Sequence, residues 1–181
     1  TPPLLQRRQR QMCIRDRNTG TLVYQYDLST AWDVSTISFS TKYDVSDENQ
    51  LRSLTFKPDG SRMYVTGNEN EKIKEYSLST PWDITTSNVT HVRDSVALTS
   101  TDNNPRNIQF SKEGTEFYYA GNGSNNMHKF TLSTAWDVST LSSSATTFDL
   151  GDRVANMRGF IFTSSFSVSY THLRAHETSI D

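Results

Sequence analysis

The nine residues 28–36, LSTAWDVST, return letter for letter at 132–140, and a near copy, LSTPWDITT, stands between them at 78–86. A phrase written three times in one chain implies three copies of one structural unit. Trp32, Trp82 and Trp136 are 50 and 54 residues apart, and Phe56, Phe110 and Phe162 are 54 and 52 apart. Repeats of that length build propellers, solenoids or arrays, and the content of each unit tells them apart.

Here each unit reads as four short strands. The first strand is LRSLTF at 51–56, PRNIQF at 105–110 and MRGFIF at 157–162. It runs into KPDG at 57–60, with Pro58 and Gly60 at the second and fourth positions that a type I turn prefers, and into SKEG at 111–114, which keeps the glycine. The second strand is RMYVTG at 62–67 and EFYYAG at 116–121. The third appears as LVYQYDL at 22–28, KIKEYSL at 72–78 and NMHKFTL at 126–132. After the repeated phrase comes a looser fourth strand, such as ATTFDL at 145–150. On the third strand Tyr26, Tyr76 and Phe130 share one column, and Val23, Ile73 and Met127 share another three residues earlier. An odd spacing puts the two columns on opposite faces. A sheet apolar on both faces is covered on both sides, as is the blade of a propeller. The expected fold is therefore all-β, made of consecutive four-stranded antiparallel blades that form a partial β-propeller.

Within the phrase, Thr30-Ala31-Trp32-Asp33 fits a capping box. The threonine hydroxyl would cap the first turn of a helix and the aspartate would reach back to the cap N–H. In the second copy Pro81 would then occupy the first helical position. The spacing predicts one helical turn between strands three and four, with the tryptophan over the sheet edge. The functional alternative for the three tryptophans is a platform on which sugars stack. A fixed place in every repeat favours a shared structural role.

The run FKPDGSRMYVTGNENEKIKEYSLSTPWDI at 56–84 resembles the YVTN-type β-propeller repeat, in which Phe-x-Pro-Asp-Gly leads into a Tyr-Val strand. The resemblance covers residues 18–166; FSKEG at 110–114 lacks the proline and aspartate. It implies the propeller fold. It also implies a range of functions: surface and adhesion proteins, virion proteins and lactonase-like enzymes. Two strands of one blade, two full blades and the first strand of a fourth are present, fewer than the four to eight blades of a closed ring. The expectation is a slice of a longer reading frame, poorly stable alone because its outer blades expose edges and faces that neighbours cover.

The two ends read differently from the Ser/Thr/Asp-rich middle. Met12-Cys13-Ile14-Arg15-Asp16, written ATG TGT ATA AGA GAC, has a reverse complement that encodes Val168-Ser169-Tyr170-Thr171-His172. One short DNA element thus flanks the middle in opposite orientations, and it resembles the transposon-end adapter of sequencing libraries. Residues 1–17 and 167–181 are accordingly assigned to adapter-derived sequence, outside the blades. This discounts three features that imitate function: the basic run Arg7, Arg8, Arg10, Arg15 and Arg17; the pair His172 and His176; and the single cysteine, Cys13. Of 18 basic and 20 acidic residues, the ends hold six and three; the middle keeps 12 and 17, a net charge of −5. That balance gives no reason to expect nucleic acid as a partner, and no apolar run reaches the length of a membrane span.

The middle shows no phosphate loop, no Ser/His/Asp pattern and no metal-ligand cluster, so no catalytic residue, metal or cofactor is assigned. The Asp- and Asn-rich loops are explained by turn chemistry. The candidate binding residues are Arg52, Arg106 and Arg158, each four residues before the aligned phenylalanine at the start of strand one. The first strand of a propeller blade is usually innermost, so these guanidinium groups would ring one end of the central channel and bind an anion such as a sugar acid or a carboxylate. The alternative is that each pairs with an acid of a neighbouring loop, Asp47, Asp102 or Asp152. Two functions remain open on these grounds. One is a non-catalytic binding or structural propeller of a bacterial surface or virion, contacting acidic glycans or proteins outside the cell. The other is a fragment of a lactonase-like hydrolase whose active site lies mostly in other blades.

Overall fold

The computed structural model describes residues 11–15, 20–46, 48, 50–67, 71–98, 105–121, 126–150 and 159–162. Just over half of these are in antiparallel strands. β4 (Leu51–Phe56), β5 (Arg62–Gly67), β6 (Ile73–Leu78) and β7 (Val89–Asp94) form one four-stranded sheet in sequential order. β8 (Pro105–Phe110), β9 (Glu116–Gly121), β10 (Asn126–Thr131) and β11 (Thr146–Asp149) form a second with the same topology. These are the two full blades that the repeat predicts, with strands one to three at the expected residues. The fold is all-β and propeller-type.

The middle blade is covered on both faces, as the two columns of strand three require. Met63, Val65, Tyr76 and Leu78 of the middle blade pack with Val23, Val45 and Leu51. From its other face Tyr64 and Ile73 pack with Ile108, Phe117, Phe130 and Val138 of the third blade. Burial of these side chains is the main favourable term holding one blade to the next.

The first sheet contains β2 (Leu22–Leu28) and β3 (Ile37–Asp44), strands three and four of a blade, and it corrects one expectation. Gln11–Arg15 was assigned to a segment outside the blades, yet it forms β1 and pairs antiparallel with β2. Met12 stands opposite Tyr26 and Cys13 opposite Gln25, as Met63 stands opposite Tyr76 and Tyr64 opposite Glu75. β1 therefore occupies the strand-two slot in the register of the middle blade. The physical reason is the free edge of β2, a row of N–H and C=O groups that captures an extended segment within reach. The C-terminal segment 167–181 lies outside the described residues, as do the first two residues of the predicted strand MRGFIF. Its last residues run beside β8: Phe160 C=O accepts from Asn107 Nδ2 (2.7 Å) and Gln109 Nε2 (3.0 Å), and Phe162 N–H donates to Gln109 Oε1 (3.2 Å).

The corner also differs from the capping-box expectation. Thr30, Ala31, Trp32 and Asp33 form a turn closed by Asp33 N–H to Thr30 C=O (3.2 Å), with Trp32 in the left-handed region at φ 65°. Trp82 (68°) and Trp136 (66°) repeat it. The capping residue is the aspartate: Asp33 and Asp137 each accept from the N–H two residues on, at 3.0 Å, and start one-turn 3-10 helices at Val34–Thr36 and Val138–Thr140. A helical turn is present, then, but it begins three residues later than the threonine cap places it. Pro81 sits at the second position of the turn, where its fixed φ is favoured.

A left-handed tryptophan costs about 1–2 kcal/mol; the turn's own hydrogen bond is present at all three corners, and packing adds to it at Trp82 and Trp136. Trp82 N–H donates to Gly60 C=O (3.0 Å) and Trp136 N–H to Gly114 C=O (2.9 Å), so each corner is tied to the turn between strands one and two of its own blade. The indoles lie on those glycines. A Cβ on Gly60 would fall 2.2 Å from Trp82 Nε1, and one on Gly114 2.2 Å from Trp136 Cε2. This is why SKEG keeps its glycine after losing the proline. Trp82 and Trp136 are thereby structural; Trp32 is 76% exposed.

Gly60→Ala should lower stability by about 2–3 kcal/mol, from the left-handed backbone and the displaced indole. A melt should show a fall of roughly 5–10 °C. Gly159→Ala, whose Cβ would meet nothing closer than Asn107 Nδ2 at 4.0 Å, should leave the melt unchanged.

Candidate functional site

The first strands of successive blades lie side by side. Ser53 Oγ on β4 accepts from Ile108 N–H on β8 (3.1 Å) and donates to Asn107 Oδ1 (3.5 Å), and β8 in turn holds residues 160–162 through Asn107 and Gln109. On this layer Arg52 and Arg106 occupy equivalent and unusual positions. Leu51 pairs with Gly67 and Ser53 with Thr66, leaving Arg52 as the extra residue of a β-bulge. Pro105 pairs with Gly121 and Asn107 with Ala120, leaving Arg106 as the extra residue of the same bulge one blade on. A bulge re-aims a side chain out of the pleat, and bulges gather beside functional sites.

Arg52 Nη2 donates to Gln50 Oε1 at 2.6 Å, which fixes the guanidinium along its own strand. Both arginines are half-buried. Arg158 lies outside the described residues, as do the acids Asp47, Asp102 and Asp152, so neither the three-membered ring nor its ion-pair alternative is on view as a whole. One acid was missed. Glu48 is buried, and its Oε2 packs so close to Gly67 that a Cβ there would stand 2.2 Å away. It precedes Arg52 by four residues, as Asp102 precedes Arg106; that shared spacing was the available signal.

The residues between blades were also missed. Gln25 on β2 accepts from Ile84 N–H (3.0 Å), two residues after Trp82. Glu75 at the same place on β6 accepts from Val138 N–H (3.3 Å), two residues after Trp136, while Tyr64 Oη donates to Trp136 C=O (2.8 Å). Glu75 is 2% exposed and is approached by Arg62 (3.1 Å) and Arg93 (3.7 Å); Arg93 also pairs with Asp137. Burial raises the Glu75 carboxyl above its ordinary range, against the lowering effects of the Val138 N–H and the two arginines. Burial also pushes Asp137 up. There the hydrogen bonds of Ser139 and Arg93 prevail, and its carboxyl lies below the ordinary range.

The remaining chemical groups serve the fold. Cys13 packs against the first inter-blade core, and burial, reinforced by Asp27, pushes its thiol up to about 12, so it is no nucleophile at neutral pH. His128 is buried, stacked on Tyr119 and bonded to Thr147 Oγ1 (3.0 Å); His91 meets Asp94 at 2.8 Å on an outer strand. Among the described residues no three His, Cys, Asp or Glu side chains gather to hold a metal.

No family model matches the chain, and no curated protein matches it. Solved structures do. A Bacteroides uniformis protein described as a candidate 6-phosphogluconolactonase aligns over 78% of this chain with a TM-score of 0.51 and 15% identity. A Bacteroides fragilis protein of the same description aligns over 72% with a TM-score of 0.50 and 16% identity. A Lactobacillus plantarum protein aligns over 71% with a TM-score of 0.50 and 21% identity. The likeness is one of fold. The aligned parts cover 40%, 34% and 36% of those proteins, so the chain spans little more than a third of their length.

The two inter-blade acceptors make a paired prediction. Gln25→Leu leaves Ile84 N–H buried and unsatisfied and should cost about 1–3 kcal/mol. Glu75→Gln keeps an acceptor for Val138 N–H and should be nearly neutral at pH 7, whereas Glu75→Leu should cost as much as Gln25→Leu or more. Because the folded pKa of Glu75 is raised, its contribution is fully present below the unfolded value of about 4.3 and is lost as the pH rises through the folded value. Melts from pH 4 to pH 8 should therefore show the wild type losing stability relative to Glu75→Gln as the pH rises.

Proposed function

We propose that this chain is part of a lactonase-like propeller hydrolase and supplies an anion-binding portion of its central site. The observation that carries the reading is the pair of equivalent bulge arginines, Arg52 and Arg106, on adjacent first strands. Guanidinium groups suit the carboxylate or phosphate of a sugar acid through paired N–H donors. The lactonase descriptions of two of the similar structures favour this hydrolase over a purely structural propeller. Among the described residues no nucleophile and base stand together beside the arginines, so in this reading the bond-breaking groups belong to other blades. Arg158 would be the third member of the ring. The repeat itself we read as YVTN-type, on the strength of FKPDG and RMYVTG, and the flanking segments as adapter-derived, on the strength of their reverse-complement relation.

The test is calorimetric titration with gluconate and 6-phosphogluconate. Arg52→Ala and Arg106→Ala should each weaken binding by about tenfold or more, the value of a charge-assisted hydrogen bond, while the melting temperature holds. A lowered melt with unchanged binding would make the arginines structural and overturn the reading.

A further inference from the structure

The two inter-blade contacts use the same positions but fill them differently. Between the second and third blades the space is taken by long side chains: Arg62 opposite Ser77, Tyr64 opposite Glu75, and Arg93 opposite Glu75 on the other side. Arg93 meets the capping Asp137, and Arg62 and Arg93 both reach Glu75. Between the first and second blades the register places Gln11, Cys13 and Thr41 at those positions, with Gln25 in place of Glu75 and Asp83 in place of Asp137. Two guanidinium groups and a phenol ring are replaced by shorter, uncharged side chains, and of the two carboxylates only the one at Asp83 is kept.

Beside Gln11 and Gln25 lies a cavity of ≈ 380 Å³, lined also by Asp27, Ser40, Thr80, Asp83 and Thr85. That is room for a small molecule. Among the described residues its lining holds two carboxylates, Asp27 and Asp83, and no Lys, Arg or His. Gln11 Oε1 is enclosed and accepts no hydrogen bond among the described residues. Asp83 is held in place by two hydrogen bonds: Oδ1 accepts from Thr85 N–H (2.9 Å) and Oδ2 from Asn88 Nδ2 (2.8 Å), which leaves further lone pairs on both oxygens. The lining is thus polar and, among the described residues, negatively charged, and Asp83 and Gln11 offer it acceptors.

We infer that this cavity binds a guanidinium-bearing ligand, seated against Asp83 as Arg93 is seated against Asp137 one interface further on. A guanidinium offers five N–H donors in a plane and stays charged at every pH the fold tolerates. The chain itself shows that the site's counterpart accepts that group.

The probe is free L-arginine, titrated into the full chain against L-citrulline, which has the same shape without the charge. Binding is read from backbone amide NMR shifts of the 80–88 corner and from the melting temperature. Arginine should shift those signals saturably and raise the melt; citrulline should do neither. Asp83→Asn should weaken arginine binding by about tenfold. Thr41→Arg, which restores an internal guanidinium opposite Gln25, should raise the melt without ligand and abolish the response to arginine. Equal responses to arginine and citrulline, or unchanged arginine binding in Asp83→Asn, would overturn the assignment. So would a folded Thr41→Arg variant that still responds in full.

Discussion

The middle and third blades are each fastened to the one before by a buried backbone N–H two residues after the corner tryptophan, and that constraint organises the rest of the molecule. The left-handed tryptophan turns the chain sharply at the corner, and the next residues enter the preceding blade. Ile84 and Val138 are fully buried there, so their N–H groups have no water to turn to. A buried donor without a partner costs as much as several good contacts gain. Strand three of the preceding blade must therefore present an acceptor at one column, and Gln25 and Glu75 do so. Lys129 stands in that column of the third blade, where it is paired with Glu116 at 3.0 Å. An ammonium cannot accept a hydrogen bond, so the fastening made at 25 and 75 is not repeated at 129.

The same comparison shows how charge is handled between sheets. In the middle blade the basic residue is on strand two (Arg62) and the acid on strand three (Glu75); in the third blade the order is reversed, with Glu116 and Lys129. Cross-strand attraction is served either way. What differs is burial. Glu75 is enclosed and needs two arginines and a backbone donor to keep it there, and burial still dominates its titration. Glu116 is more open, and hydrogen bonds from Tyr118 and Lys129 lower its carboxyl. The blade interfaces are thus not interchangeable copies. The apolar columns repeat, while the polar groups between them specify which blade follows which.

The strands were legible in the sequence because their columns are apolar on both faces and the repeat supplies three independent readings of each. The corner was legible as a corner and misread in detail. A Thr-x-x-Asp spacing fits a threonine cap and an aspartate cap equally well, and nothing in the letters announces a tryptophan at positive φ. Trp32 adopts that φ with its indole exposed, so the turn is set by its own hydrogen bonds and the glycine contact follows from it. The arginine column was visible, but the bulge that re-aims Arg52 and Arg106 depends on pairing with β5 and β9 and has no local signature. The acceptors at 25 and 75 escaped because Gln, Glu and Lys share a column without sharing a chemistry; only the three-dimensional partner gives the column its meaning.

β1 separates the origin of a segment from what it does in a fold. In one choice of codons, Met12–Asp16 matches Val168–His172 in reverse complement. Read by its pairing, β1 is a second strand in register with those of the middle and third blades. The two statements do not compete, because a sheet edge specifies its partner weakly: backbone groups at a 3.3–3.4 Å repeat, and a face that is apolar at the right alternation. Register is then fixed by which alternation buries more. Cys13 meets the demand made of Tyr64 for a buried, uncharged side chain, but it is too short to make the Tyr64 hydrogen bond to the next corner. The cavity between the first two blades has Gln11 of this same strand on its wall, where the middle blade carries Arg62.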